Sequence, residues 1–207
     1  MIGVIDAEFG NFKSVVNMCD YLNLDVKHIT NYQEIEDSDH IILPGVGSFG
    51  AAAKKLRLLG FIDSIKEHAI IKQRPFLGIC IGMQLMFRNS EEDSFLSSGI
   101  GLFEGNITKL KISNKQKIPN MGWRFISGNG RLIQSDDTLE RNRFYFTHSY
   151  ALHMDTAIKN NFDNIYSSKF TEDFCCGFEC ENIYGVQFHP EKSHNYGLKL
   201  MNSFGNL

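Results

Sequence analysis

The chain has 207 residues, 43% hydrophobic and 22% charged, with 18 glycines and 4 prolines; this is the make-up of an ordinary globular protein, not of a disordered, collagen-like or low-complexity one. Lys and Arg total 21 against 24 acidic residues, a net charge of −3, so the basic surplus of a nucleic-acid binder is missing. No apolar run reaches the roughly 20 residues of a membrane-spanning helix, and MIGVIDAEFG lacks the basic start of a signal peptide.

These features predict a soluble, cytoplasmic protein folded as one domain over residues 1–207. Its five cysteines, Cys19, Cys80, Cys175, Cys176 and Cys180, are an odd number in a chain too long for a disulfide-stapled miniprotein; reduced thiols are expected.

The first half alternates short apolar runs with helix-period segments, the pattern of parallel βαβ units. Residues 2–5 and 26–29 predict strands, and between them Phe12, Val15, Val16 and Cys19 mark one face of a helix ending near Leu22. HIIL at 40–43 predicts another strand, closed by PGVGSFG. An alanine-rich helix follows, interrupted at Gly60 and Phe61; a second helical segment runs to about Lys72, and Pro75 opens a strand at 76–79. A helix then begins near Met83, with Met83, Leu85, Met86 and Phe87 expected in the core. Beyond about Ile100 the chain turns strand-rich, in NITKLKI, RFYFTHSYAL, FCCGFEC and NIYGVQF, and a last helix covers roughly Tyr196 to Phe204. The predicted fold is α/β: an open twisted mixed sheet flanked by helices, with an antiparallel extension in its second half.

The segment with the clearest chemical meaning is GICIG at 78–82, where a strand runs into a helix with Cys80 at the corner. In a G-x-nucleophile-x-G elbow the flanking glycines permit a sharp turn that projects a strained, reactive side chain. A helix N-terminus there would favour thiolate over thiol, and neighbouring N–H groups could hold an oxyanion. The bland alternative is a small buried cysteine filling a tight junction. A thiolate nucleophile needs a base with its own orienting group. In GVQFHPE, His189 is followed two residues later by Glu191, which an extended segment would place on the same side; Pro190 between them favours that shape.

Taken together, GICIGMQ and GVQFHPEKS resemble the nucleophile and His-Glu segments of the class I (triad) glutamine amidotransferases, whose fold is flavodoxin-like. Within that group, PGVGSF, PNMGW, YFTHSY and HPEKS, in this order, are similar to the glutaminase subunits of imidazole glycerol phosphate synthase, and the likeness runs along essentially the whole chain. The resemblance implies that Cys80 is the nucleophile, His189 the base and then the acid, and Glu191 the group that orients His189. It implies glutamine contacts at Gly47, Gln84, Ser149 and Tyr150, and oxyanion donors at Ile81 and at Val46 or Gly47, the latter after reorientation. Trp123 would face the partner, a (β/α)8-barrel synthase or cyclase subunit that receives ammonia through a tunnel. No cofactor and no metal are implied.

Other functions compete for the same residues. GVGSFG at 45–50 has the form of the dinucleotide fingerprint G-x-G-x-x-G, but the following strand ends at GIC instead of at a ribose-binding acid. Cys175, Cys176 and Cys180 of FCCGFEC suggest a thiolate metal site without the second knuckle that zinc sites use. His148 and His153 are expected as strand or turn residues. A catalytically dead assembly module is a further alternative, against which the presence of Cys80, His189 and Glu191 argues. The chain also departs from the histidine-pathway pattern: Ala7 and Glu8 stand in an Asp-Tyr-Gly-x-Gly-Asn segment, Arg124 replaces the usual Asn after Gly-Trp, and His194 follows HPEKS. These positions are expected to face the partner, which keeps open a paralogous role supplying ammonia for amidination of a nucleotide-linked surface sugar.

Overall fold

A computed structural model of the chain describes residues 1–112, 117–134 and 142–207. In chain order the elements are β1 (Ile2–Ile5), α1 (Phe12–Tyr21), β2 (Val26–Ile29), β3 (His40–Leu43), α2 (Phe49–Leu58), α3 (Phe61–Lys66), β4 (Phe76–Ile79), α4 (Ile81–Gln84), β5 (Phe87–Ser90) and β6 (Phe103–Lys109). The second half adds β7 (Asn120–Ser127), β8 (Arg143–His148), β9 (Tyr150–His153), α5 (Met154–Lys159), β10 (Asn164–Lys169), β11 (Asp173–Cys180), β12 (Ile183–Val186) and α6 (His194–Gly205).

The described strands form one mixed sheet ordered β2-β1-β3-β4-β12-β11-β10-β7-β8, with β9 joined to β11 and β6, and β5 joined to β6. From β2 to β12 the neighbours are parallel. This is the 2-1-3-4-5 order of a flavodoxin-like fold, its fifth place taken by the last strand of the chain. From β12 to β8 every pairing is antiparallel.

Strands covered on both faces read as continuous apolar runs, and every residue of β1, β4 and β12 is buried. Their alternation sends Ile2, Val4, Leu77 and Ile79 to the face covered by α1 and α6, with Val15, Cys19, Leu200, Met201 and Phe204. Ile5, Ile41, Leu43 and Phe76 point the other way, against Ala52, Ala53, Leu56, Phe61 and Ile65 of α2 and α3. No helix among the described residues is long and apolar enough to cross a membrane.

Several boundaries differ from the sequence expectation. The helix expected from Met83 is a single turn that starts at Ile81, and Phe87 opens a strand; Met83, Leu85, Met86 and Phe87 are nonetheless core. The last helix begins at His194, and β7, α5 and β10 lack the clean periodicity that would announce them. Cys175 and Cys176, adjacent on β11, enter opposite core layers, so their sulfurs diverge and cannot grip one ion.

The helical stretch after Phe61 ends in a π-helical turn, Glu67–Ile71, that carries His68 inward. Its Nε2–H donates to the Pro75 carbonyl at 3.2 Å. Burial, partly opposed by that bond, lowers the His68 pKa from 6.5 to about 4. The unfolded chain therefore takes up a proton near pH 6.5 that the folded chain refuses until about 4, and stability falls with pH across that window, by up to about 1.4 kcal/mol per pH unit. His68→Gln is expected to flatten the acid limb of a urea-unfolding series between pH 4 and 6.5.

Candidate active site

The parallel register pairs Ile79 with Val186, and the Cys80 N–H donates to the Val186 carbonyl at 2.7 Å. Cys80 and the segment after β12 thus leave the same end of the sheet side by side, where open α/β sheets place their ligands. Cys80 adopts φ 53° and ψ −106°, a conformation that costs a non-glycine residue about 1–3 kcal/mol. The two flanking glycines are obligatory for steric reasons: a Cβ on Gly82 would lie 1.9 Å from the Leu43 carbonyl oxygen, and one on Gly78 would lie 2.7 Å from the backbone of Gly82 and Met83. The turn that follows is closed by the Gln84 N–H donating to the Cys80 carbonyl at 3.1 Å. With one helical turn instead of a long helix, individual N–H groups matter more here than any macrodipole.

His189 and Glu191 do not share an extended strand as expected. Pro190–Lys192 forms a 3-10 turn with proline at its first position, where the missing N–H is not needed. The pair still meets: His189 Nδ1 lies 2.7 Å from Glu191 Oε1, and both side chains are 1% exposed. Asn11 Nδ2 donates to the same Glu191 oxygen at 3.2 Å. The carboxylate accepts from Nδ1–H, leaving Nε2 as the working nitrogen. That nitrogen is buried with no formed hydrogen bond among the described residues, and His189 lines one cavity with Cys80. Burial pulls the His189 pKa down, but Cys80 and Glu191 together outweigh it and carry the value from 6.5 up to about 10.

A cavity of about 160 Å³ opens beside these groups, lined by Cys80, His189, Val46, Gly47, Ile81, Gln84, Ser149 and Tyr150. Every residue singled out for nucleophile, base, oxyanion or substrate contact thus borders it, except Glu191, which acts behind His189. The Val46 N–H is engaged, donating to the Phe9 carbonyl at 3.0 Å. Ile81 opens the helical turn, so its N–H has no intrahelical acceptor. Gln84 Oε1 is buried without a partner among the described residues.

Glu92, Thr147 and His148 also line the cavity, and Gln187 Nε2 lies 3.5 Å from the Cys80 sulfur; sequence reasoning assigned none of the four a role. Glu92 carries no local signal, being one acid in the run Glu91–Asp93. His148 is a strand residue as expected, yet it is buried against the site, and desolvation, only partly offset by its bond to the Tyr150 carbonyl, lowers its pKa to about 4.

Trp123 lies outside this cavity. It is 39% exposed on β7, and with Met121 and Phe125, each 57% exposed, it forms an apolar stripe on the outward face. His194 stacks on its ring at 5.5 Å, and the Arg143 guanidinium lies 5.5 Å from it. Among the departures, Ala7 is 2% exposed and therefore packs inside the molecule instead of facing a partner. Glu8 pairs with Lys55 at 2.6 Å.

The glycine loop at 45–50 does link β3 to α2, as a dinucleotide fingerprint requires. However, the helix N–H of Phe49 already donates to the Glu92 carboxylate at 2.7 Å, so an acid occupies the position a pyrophosphate would need.

This site and sheet order match a known family. The profile of class-I glutamine amidotransferases fits residues 3–204, and the chain belongs to that family. Over 204 residues, covering 99% of this chain and 98% of the relative, it is 39% identical to a protein of Methanococcus maripaludis named imidazole glycerol phosphate synthase subunit HisH 2. A Pseudomonas aeruginosa protein of the same name is 34% identical over the full length of both chains. The fold also superimposes on the structure of PurLQS from Thermotoga maritima, with a TM-score of 0.71 at 18% identity, covering 99% of this chain and 97% of that one.

Gly82→Ala is the sharpest test of the elbow. The added methyl overlaps main chain that cannot yield, so a loss of at least about 3 kcal/mol is expected in denaturant unfolding.

Proposed function

We propose that this chain is the glutaminase subunit of an imidazole glycerol phosphate synthase, releasing ammonia from glutamine and handing it to a (β/α)8-barrel synthase partner. One observation carries the chemistry: a cysteine on a strained elbow shares a cavity with a buried histidine held by a glutamate at 2.7 Å. The family membership and the full-length similarity to two HisH subunits support the biological role.

The reaction follows from the donor set. The Cys80 sulfur attacks the carboxamide carbon of glutamine, and the carbonyl oxygen takes the negative charge. The Ile81 N–H points to that oxygen, joined by an amide of the Val46–Gly47 segment. Because the Val46 N–H is bonded to Phe9, that segment has to turn first, about Gly47 at φ +106° with open space around it. His189 Nε2, carrying the sulfur's proton, passes it to the nitrogen as the C–N bond breaks. Ammonia departs, and a glutamyl thioester remains. His189 then takes a proton from water, hydroxide adds to the thioester, and the C–S bond breaks to free glutamate. Glu191 stays ionised throughout, orienting the ring and balancing the imidazolium. Gln84 Oε1, Ser149 and Tyr150 hold the substrate's polar ends, and Glu92 supplies an anion at the cavity wall for its ammonium group.

The docking face is the Met121-Trp123-Phe125 stripe. Apolar residues on the outward side of a strand are the reverse of the usual alternation, and such a patch marks an interaction surface. Of the departures, His194 stacks on Trp123 within this stripe, while Arg124 points to the other face of β7, to Asn120; the change at His194 favours, as a second reading, the paralogous role in which the partner amidates a nucleotide-linked surface sugar.

Cys80→Ala is expected to reduce glutamate release from labelled glutamine in the assembled complex roughly a thousandfold or more, with complex formation unchanged in size-exclusion chromatography; retained turnover would refute the assignment. Trp123→Ala is expected to weaken partner binding by about 2 kcal/mol in calorimetric titration. Ammonia transfer to imidazole glycerol phosphate formation or to a sugar acceptor, assayed with each copurifying barrel, separates the two readings.

A further inference from the structure

We infer that Gln187 is a positioning residue for the nucleophile: its carboxamide, locked in one orientation by Gln84, donates an N–H to the Cys80 sulfur and steadies the charge carried there during attack. This rests on the proposal that Cys80 is the nucleophile, and it assigns a role to a residue outside the Cys-His-Glu set.

The orientation of an amide side chain has to be deduced from its partners, because its oxygen and nitrogen have the same shape. Here the deduction starts at the Tyr150 carbonyl, which can only accept. Gln84 Nε2 lies 3.0 Å from it, so the Gln84 amino group faces Tyr150. The second N–H of that group then points to Gln187 Oε1 at 2.9 Å. With its oxygen so occupied, Gln187 presents its own amino group to the sulfur at 3.5 Å. Turning Gln187 over would set two amino groups head to head, and turning Gln84 over would set its oxygen against the oxygens of Tyr150 and Gln187, each in a buried space.

A second chain of hydrogen bonds reaches the same carbonyl from its other side and fixes the His148 tautomer. Arg124 can only donate, and its Nε meets Asn120 Oδ1 at 2.9 Å. Asn120 Nδ2 therefore donates to His148 Nε2 at 2.9 Å, and His148 Nδ1–H is left for Tyr150, also at 2.9 Å. Gln84 is 2% exposed and Gln187 is 0% exposed, so no bulk water competes for the donor, and a hydrogen bond to a charged acceptor in such a place is among the stronger ones. When His189 leaves the sulfur to deliver its proton, the Gln187 N–H remains.

The test is alkylation of the full-length chain by iodoacetamide across pH 6 to 10, followed by mass analysis of the Cys80 peptide, which also separates Cys80 from the partly exposed Cys180. Gln187→Leu removes the donor; Gln187→Glu keeps the shape and the acceptor for Gln84 but offers the sulfur an oxygen. Both are expected to alkylate Cys80 about tenfold more slowly at pH 7, with the rate profile moved to higher pH and the alkaline plateau unchanged. A wild-type profile in both variants, or a uniform fall at every pH, overturns the inference. If the leucine variant does not fold, the glutamate variant decides alone. Wild-type Cys80 reacting no faster than Cys180 would instead sink the nucleophile assignment itself, a result distinct from normal wild-type reactivity with unresponsive variants.

Discussion

The parallel pairing of β4 with β12 is the constraint from which the site grows. Its register sets Ile79 beside Val186, and one residue further on the Cys80 N–H reaches the Val186 carbonyl. From there Gln187 and His189 approach the cysteine without further arrangement, although some hundred residues of chain lie between. Closing so long a loop costs only logarithmically more than closing a short one, and the intervening strands bury their own surface. The strained geometry of Cys80 persists because Gly78, Gly82 and the Leu43 carbonyl leave the backbone no alternative path.

Burial decides which polar interactions matter here. Surface pairs such as Lys27–Asp37, with side chains 32% and 68% exposed, are worth at most about 1 kcal/mol each. The His189–Glu191 pair is 1% exposed on both sides, so removing one partner would leave a buried group uncompensated, a far larger penalty. Asn11 belongs to the same economy: it reaches Glu191 from the loop after β1 and satisfies the oxygen that His189 also uses. The fold thus brings two distant chain segments to one carboxylate.

What the sequence disclosed, and what it withheld, follows from how local each signal is. The apolar runs at 2–5, 40–43 and 76–79 coincide with β1, β3 and β4 because a strand covered on both faces needs nothing but apolar residues, whereas β2, VKHI at the sheet edge, buries only Ile29 fully. Elements at the sheet's antiparallel end were harder: β7 turns Met121, Trp123 and Phe125 outward, which disguises its alternation. Cys80 and His189 stood out through glycine and proline spacing, which is local chemistry. Glu92 and Gln187 acquire meaning only through neighbours 43 and 107 positions away, Phe49 and Cys80. The shape of the His-Glu segment was misjudged for a related reason: proline suits an extended strand and the first position of a 3-10 turn equally well.

The β7–β8 hairpin holds His189 by its main chain, since the His189 N–H donates to the Tyr145 carbonyl at 2.9 Å. Tyr145 is in turn the register partner of Trp123. A one-residue slip between these strands would send Phe144 and Phe146 into water, which a half-buried sheet strongly resists. The hairpin therefore behaves as a gauge block: because its strands cannot slide, the spacing between the outward Trp123 and the His189 main chain is fixed by the pairing alone.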